Sequence, residues 1–153
     1  MNIQYRKAMI EDSSFLLSLR NQKSVRLNSR NSAEIAENSH VSWFKQRLKE
    51  EELRGPILIF SIDNSLIGYS RVDLLNQDSA ILSIALDIEY RNRGLGRSIL
   101  QLTLGHATNT MGVRVFEALV SEENFASRRI FQICGFREIG VDQGWIRMSL
   151  QSA

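Results

Sequence analysis

One stretch of the sequence has the residue types needed to bind a phosphate group. Two glycines, Gly94 and Gly96, lie within a run of arginines, Arg91, Arg93 and Arg97. Glycine has no Cβ, so a glycine turn lets the backbone approach a ligand closely. The run leads into a predicted helix, whose first N–H groups are unpaired and attract anions, and arginine is a permanent cation suited to phosphate oxygens. The spacing is consistent with a pyrophosphate site.

The same spacing is also consistent with an ordinary strand-to-helix turn that carries solvated arginines. The stretch matches neither of two better-known phosphate motifs, because no G-x-x-x-x-G-K-[ST] is present and Ile99 stands where a dinucleotide fingerprint has its third glycine. From the residues alone, both interpretations stay open.

A strand before this turn and a helix after it must position the turn. Strands and helices are also interspersed along the rest of the chain. We predict strands over residues 3–8, 57–62, 66–74, 80–88, 113–120, 136–141 and 145–150. Helices are predicted after Asp12 or Ser13, from Ser39 to about residue 53, after Gly94, and from Asn124 to Gly135. Residues 24–32 are polar and are predicted to form a loop or a ragged short helix. The pattern indicates a mixed α/β (α+β) fold with a partly antiparallel sheet, in a single domain spanning residues 1–153.

Composition limits the function classes that fit the chain. The net charge is only +2, which does not suggest a nucleic-acid binder. With Cys134 as the single cysteine and His40 and His106 as the only histidines, neither an internal disulfide nor a metal site is expected. The sequence shows no signal peptide and no apolar run near the roughly 18–20 residues that span a bilayer, so a cytoplasmic protein without membrane partners is expected.

The glycine turn resembles the acetyl-coenzyme A signature [Q/R]-x-x-G-x-[G/A] of the GNAT superfamily of N-acetyltransferases, in the form Arg91-x-x-Gly94-x-Gly96. Residues 83–88 are similar to that family's central strand, and residues 124–136 resemble its second signature, N-x-x-[AS]-x-x-x-[YF]-x-x-x-G-F. The resemblance implies a GNAT-like fold: a central mixed, mostly antiparallel sheet of about seven strands, splayed between strands 4 and 5 and flanked by about four helices.

The resemblance also implies acetyl-CoA as the cofactor, with the amides of the turn on its pyrophosphate and Asn124 on its pantetheine arm. On the residues alone an asparagine at this position is more often just a helix N-cap, and both roles are compatible. The implied coenzyme-binding residues are Leu86, Ile88, Arg91, Asn92, Arg93, Gly94, Leu95, Gly96, Arg97, Ser98, Asn124, Ser127 and Phe131.

One position departs from the family pattern. Many members have a tyrosine seven residues after the asparagine, as the acid for the leaving thiolate, and this chain has Phe131 there. A general acid contributes about 10²–10⁴-fold, and a thiol of pKa about 8.5 leaves moderately well as its anion, so the change need not abolish catalysis. Cys134 is either a substitute acid or a small packed residue.

The implied mechanism is direct attack of a neutral amine on the thioester carbonyl, with strand N–H groups near residues 86–88 stabilising the oxyanion. Candidate bases are Glu117, His40, Asp87 and Glu89, of which we select Glu117 and His40 as the predicted catalytic residues. Strand alternation could equally point Glu117 to solvent, and His40 is also explained as a structural histidine.

The first third of the chain carries the clue to the acceptor. His40, Trp43 and Phe44 share a helical face, and the pattern resembles acetyltransferases of nonulosonic-acid and surface-polysaccharide pathways, which act on nucleotide-linked aminosugars. A small-molecule amine of that kind is the predicted partner, for a monomer or homodimer. Ribosomal-protein acetyltransferases share a comparable helix, so an acetyltransferase for protein N-termini stays open, as does a non-catalytic CoA-binding module. The predicted substrate-binding residues are Asn28, Arg30, His40 and Trp43.

Overall fold

The structure, a computed structural model, describes residues 2–27 and 33–152, apart from the side chain of Ser24. The strands are β1 (Ile3–Lys7), β2 (Ile57–Ile62), β3 (Ser65–Leu74), β4 (Ser79–Leu86), β5 (Val115–Ser121), β6 (Arg137–Asp142) and β7 (Trp145–Gln151). The helices are α1 (Ser13–Arg20), α2 (Lys23–Leu27), α3 (Glu37–Lys49), α4 (Glu51–Arg54), α5 (Leu95–Met111) and α6 (Phe125–Ile133). The predicted acceptor residues Asn28 and Arg30 lie outside the described residues.

The seven strands form one sheet in the order β1-β2-β3-β4-β5-β7-β6. Every neighbouring pair is antiparallel except β4 and β5, which are parallel. Tight turns set two of the antiparallel pairs, because Asp63 and Asn64, and then Gln143 and Gly144, adopt the positive φ that two-residue hairpin turns need. The predicted fold class, a mixed and mostly antiparallel seven-stranded sheet, is confirmed.

The parallel pair is joined over only a short distance. Ser79, Ala80 and Ile81 of β4 pair with residues 115–117 of β5, and the ladder ends there. Both strands continue, to Leu86 and Ser121, without pairing to each other in the part of the chain that the structure describes. The two strands therefore diverge, and the predicted opening between strands 4 and 5 is present.

Two helical layers cover the sheet. On one face, Leu100 of α5 and Phe131 of α6 join a core that includes Leu82 of β4 and Phe116 of β5. On the other face, α1 and α3 pack on β2, β3 and β4, through the buried apolar residues Leu16, Leu19, Phe44, Ile57, Ile59, Tyr69 and Ala85. Alternation along β4 sends even-numbered residues to the α5 side and odd-numbered ones to the α1–α3 side.

Two predicted elements have corrected boundaries. The helix expected from Ser39 begins at Glu37, and it is interrupted at Glu50, after which α4 runs to Arg54. The strand expected over 80–88 ends at Leu86, because the Asp87 side chain accepts the N–H of Glu89 and begins a 3₁₀ turn. Residues 24–32, predicted as a loop or a ragged short helix, overlap the end of α2, and residues 28–32 lie outside the described part of the chain.

Candidate active site

The glycine turn opens onto free space at the start of α5. Gly94 precedes the first residue of this 17-residue helix with a φ of +76°, and Asn92 also has a positive φ of +63°. A Cβ built on Gly94 meets no heavy atom within 4 Å. An uncovered helix N-terminus beside an empty space suits an anion, so these residues fit the pyrophosphate of a coenzyme.

The second glycine of the turn serves packing. A Cβ on Gly96 would lie 2.7 Å from Cδ1 of Ile130 in α6, and Gly96 is buried. Gly94 therefore has the open space that the predicted coenzyme contact needs, whereas the missing side chain of Gly96 lets α6 lie close against α5.

The arginines of the turn have different surroundings. Arg91 donates from Nε to the carbonyl oxygen of Leu86 at 3.2 Å, which ties the turn to the end of β4. Arg93 is exposed and its guanidinium lies 5.7 Å from the ring centre of Tyr90. Arg97 is exposed on the first turn of α5. Two cations are therefore accessible near the open space at Gly94.

The second predicted coenzyme element starts where β5 ends. Asn124 caps α6, since its Oδ1 accepts the N–H of Ser127 at 3.2 Å. Phe131 was predicted to contact the coenzyme, but its ring is 3% exposed and packs edge-on against Phe136 with 5.0 Å between centroids. Phe131 therefore offers almost no surface to a ligand and belongs to the core. Burial raises the pKa of Cys134, against the opposing charge of Arg97, so its thiol stays protonated at neutral pH.

His40 does not line an open cleft. It is 1% exposed, stacks on Phe44 at 5.8 Å between ring centres, and its Nδ1 accepts a hydrogen bond from Arg20 Nη1 at 3.0 Å. A guanidinium only donates, so Nδ1 must be unprotonated and the ring neutral. The predicted roles of His40 as a base and as a direct acceptor contact are therefore not favoured, because the ring is buried and its Nδ1 already accepts from Arg20.

Burial, and then the positive charge of Arg20, hold the pKa of His40 below the ordinary value for histidine, while a contact with the Ser13 backbone acts in the opposite direction. Burial and Lys7 likewise lower the pKa of His106. A lowered pKa in the folded state means that the unfolded chain takes up the proton first as the pH falls. Folding stability therefore decreases as the pH falls below about 6.5, the ordinary histidine value.

We expect urea denaturation to give a lower unfolding free energy at pH 5 than at pH 7.5. His40→Gln keeps an oxygen that can accept from Arg20 and removes the titrating ring, so its unfolding free energy should depend less on pH over this interval. His106→Gln is the matched control that retains the His40 contribution. An unchanged pH dependence in His40→Gln would contradict a buried, neutral His40.

Two arginines meet at Trp43, on the face that α1 and α3 cover. The guanidinium carbon of Arg20 lies 4.4 Å from the indole ring centre, and that of Arg71 lies 5.5 Å from it. Arg71 also donates from Nη2 to Asp73 at 2.9 Å. Trp43 was predicted as a site residue, whereas Arg71 was not. The sequence signal for Arg71 is its position in β3, two residues after Tyr69 and therefore on the same face of the sheet.

Glu117 points to this same face of the sheet. It pairs across the ladder with Ile81, which pairs in turn with Asp73, so the three side chains form one row. Glu117 Oε1 accepts from Arg147 Nη2 at 3.0 Å. A cavity of about 210 Å³ lies here, lined by Ile81, Glu117, Leu119, Asp142, Trp145 and Arg147.

The other predicted bases lie at the end of β4. Asp87 accepts from Gln22 Nε2 at 3.3 Å and from the N–H of Glu89, and Glu89 is exposed. Leu86 is half-buried and Ile88 is exposed next to them. Within residues 2–27 and 33–152 no group of three or more acidic, histidine or cysteine side chains is arranged to hold a metal ion.

A family model described as an acetyltransferase (GNAT) domain matches residues 3–137. No curated protein sequence shows significant similarity to the chain. Among solved structures, spermidine N-acetyltransferase from Vibrio cholerae, in complex with CoA and spermine, is similar with a TM-score of 0.86 and 16% identity over 98% of this chain and 95% of that chain.

Two further structures are similar in fold. The putative acetyltransferase yncA from Salmonella typhimurium, with its cofactor acetyl-CoA, has a TM-score of 0.78 and 22% identity, over 100% of this chain and 95% of that chain. A ribosomal-protein-alanine N-acetyltransferase from Brucella melitensis has a TM-score of 0.78 and 21% identity, over 97% and 99%. At these identities the likeness shows the fold alone. Among the helices described here, none is long and apolar enough to cross a bilayer.

Proposed function

Since the chain belongs to the acetyltransferase (GNAT) family and is therefore an acetyl-CoA-dependent N-acetyltransferase, we propose that the turn at Gly94 binds the coenzyme and that acetyl transfer takes place at the opening between β4 and β5. The observation that carries this proposal is the free space at Gly94, at the N-terminus of α5 and next to the end of β4. We propose a single catalytic domain, since the family model covers most of the chain.

We propose that the N–H groups of the first turn of α5, with Arg93 and Arg97, hold the diphosphate of the coenzyme. Asn124, at the start of α6, is suited to bond the pantetheine arm while its Oδ1 caps the helix, since its side-chain NH₂ group can still donate. When bound, acetyl-CoA supplies a thioester whose carbonyl an amine can attack.

The unpaired edge of β4 is suited to the charge that develops in the reaction. Beyond Ile81 this strand has no β5 partner in the described structure, so N–H groups on that edge are available to donate to an oxyanion. Such donors are held in place by the β3–β4 ladder, which continues to Leu86. A fixed donor needs no rearrangement when the charge forms.

We propose Glu117 as the group that takes the proton from the acceptor amine, directly or through water. Its carboxylate lies in the cavity that opens beside the divergent strands, and Arg147 orients it. His40 is placed behind Arg20 and is better suited to positioning that arginine.

Glu117→Gln keeps the size of the side chain and the hydrogen bond from Arg147 but cannot accept a proton. We expect kcat to fall about 100-fold, the lower end of what a positioned base contributes, with little change in the KM for acetyl-CoA. The measurement is thiol release at pH 7–9, since the loss should shrink at higher pH as more amine is already deprotonated. Glu138→Gln, which changes a carboxylate bonded to Arg128 outside this cavity, is the matched control, and equal rates for the two variants would exclude Glu117 as the base.

For the acceptor, we propose a small-molecule primary amine, with a nucleotide-linked aminosugar as the leading candidate. The support is the set of arginines beside Trp43, which suits the phosphates of such a molecule. Thiol release with acetyl-CoA and a panel of 4-amino-sugar nucleotides, ribosomal-protein N-terminal peptides and polyamines tests this. Release with peptides but not sugars would assign the acceptor to protein N-termini instead.

A further inference from the structure

The cluster at Trp43 carries more positive charge than its own carboxylate balances. Asp73 accepts from Arg71 Nη2 at 2.9 Å and pairs with Arg47 Nη1 at 2.6 Å, so one carboxylate serves two guanidiniums. Arg20 makes its side-chain hydrogen bond to the neutral ring of His40. Three guanidiniums and one carboxylate leave an excess of two positive charges in this group of contacting residues.

This excess of positive charge is electrostatically unfavourable in the folded protein. Burial is the main cause that lowers the pKa of Arg20, and the charge of Arg71 adds to it, while Tyr69 acts in the opposite direction. Arginine nevertheless stays charged at neutral pH. An unpaired, half-buried cation next to another cation is unfavourable unless an anion joins them.

Arg71 has an unused donor. Its Nε is buried and makes no hydrogen bond within the described residues, although Nη2 of the same guanidinium is bonded to Asp73. A buried donor without a partner costs free energy, and such a group calls for an explanation. The Arg71 side chain as a whole is 29% exposed, so a ligand oxygen bound at the guanidinium edge would satisfy this donor after a small shift of the side chain.

The cluster is close to the proposed site of acetyl transfer. Arg71 pairs with Ser83 across the β3–β4 ladder, and Tyr69 pairs with Ala85, so these side chains lie beside the part of β4 that has separated from β5. They also share a sheet face with Glu117. A group bound at Arg71 is therefore on the acceptor's side of the opening.

We propose that Arg20 and Arg71, above the indole of Trp43, form a subsite for an anionic group, phosphate or carboxylate, carried by the acceptor. This rests on the proposed function. The acceptor is then an amine that also bears negative charge, and polyamines are poor substrates because two guanidiniums repel them.

Calorimetry tests the subsite without requiring turnover. The protein is saturated with coenzyme A, so that the turn at Gly94 is occupied, and titrated with inorganic pyrophosphate and separately with succinate, at constant ionic strength. We expect saturable binding of at least one probe, and at least a tenfold loss in Arg71→Gln. Arg54→Gln removes the same charge from an exposed position on α4 and should leave binding unchanged. Which probe binds distinguishes phosphate from carboxylate.

The proposal is overturned if neither probe binds, or if binding is the same in Arg71→Gln as in the unmodified protein. Thermal unfolding of the variant confirms that it is folded, and Arg71→Lys, which keeps the charge, should recover part of the affinity.

Acetylation assays separate this inference from the proposed function. Matched amines are compared, an amino acid with its amide and an aminosugar phosphate with the free aminosugar. The charged member of a pair should have the lower KM, and Arg71→Gln should raise that KM at least tenfold while the neutral member is unaffected. Equal KM values within each pair would refute the subsite even though acetyl transfer occurs. Absence of transfer to every amine would refute the proposed function, and calorimetry alone would then decide the subsite.

Discussion

Gly94→Glu is expected to reduce the affinity for acetyl-CoA by about 1,000-fold. The new carboxylate would occupy the free space where the diphosphate is proposed to bind, at the N-terminus of α5. Two like charges about 4 Å apart near a protein surface repel by roughly 4 kcal/mol, which corresponds to about a 1,000-fold change in a dissociation constant. Calorimetric titration with acetyl-CoA or coenzyme A measures the change directly.

Helix α5 itself supplies the matched control. Gly112 follows its last residue with a φ of +74°, against +76° for Gly94, and a Cβ there also meets nothing within 4 Å. Gly112→Glu therefore introduces the same side chain under the same backbone strain, at the opposite end of the helix. It should bind the coenzyme normally. Equal losses in the two variants would mean that strain is responsible and that the turn at Gly94 is not the anion site.

Arg47→Met is expected to lower the unfolding free energy by about 3–5 kcal/mol. Arg47 is 2% exposed and bonds the carbonyl oxygen of Gly55 at 3.1 Å and that of Val72 at 3.0 Å, in addition to Asp73. Methionine fills a similar volume but leaves both carbonyl groups without this donor and removes one partner of Asp73. Breaking a buried charged network in this way leaves polar groups uncompensated.

Urea denaturation at pH 7.5 measures this loss, and Arg54→Met is its control. Arg54 is 44% exposed and its ion pair with Glu50 spans 3.5 Å, so its replacement should change the unfolding free energy by less than about 1 kcal/mol. If Arg47→Met cost no more than Arg54→Met, the three bonds of Arg47 would not hold the β2 and β3 segments together as described.

The glycine turn shows how much of the candidate site can be predicted from the local sequence pattern. A helix start with unpaired amides follows from the glycines and the apolar spacing after them, and the structure has both. The packing role of Gly96 could not be predicted from the sequence. It depends on a contact with Ile130, which lies 34 positions away in a different helix. Spacing describes a segment, whereas a close helix contact is a property of two segments.

The acceptor side shows the same limit more strongly. His40 is on the helix face that its spacing with Phe44 predicts, but its burial depends on Arg20 and Trp43 closing over it. Arg71 and Arg47 are ordinary arginines in a strand and a helix, and only the packing of α3 against β3 places Asp73 between them. Charge clusters assembled from separate elements leave no periodic trace in the sequence.

The divergence of β4 and β5 has a kinetic meaning. Leu82, Phe116 and Ala118 from the two strands pack in one core cluster with Leu100 of α5. These side chains therefore support the opening between the strands from the α5 side of the sheet. No hydrogen bond between β4 and β5 has to break for a ligand to enter this opening. The opening forms when the chain folds, so we expect that separation of these two strands does not limit the rate of the proposed reaction.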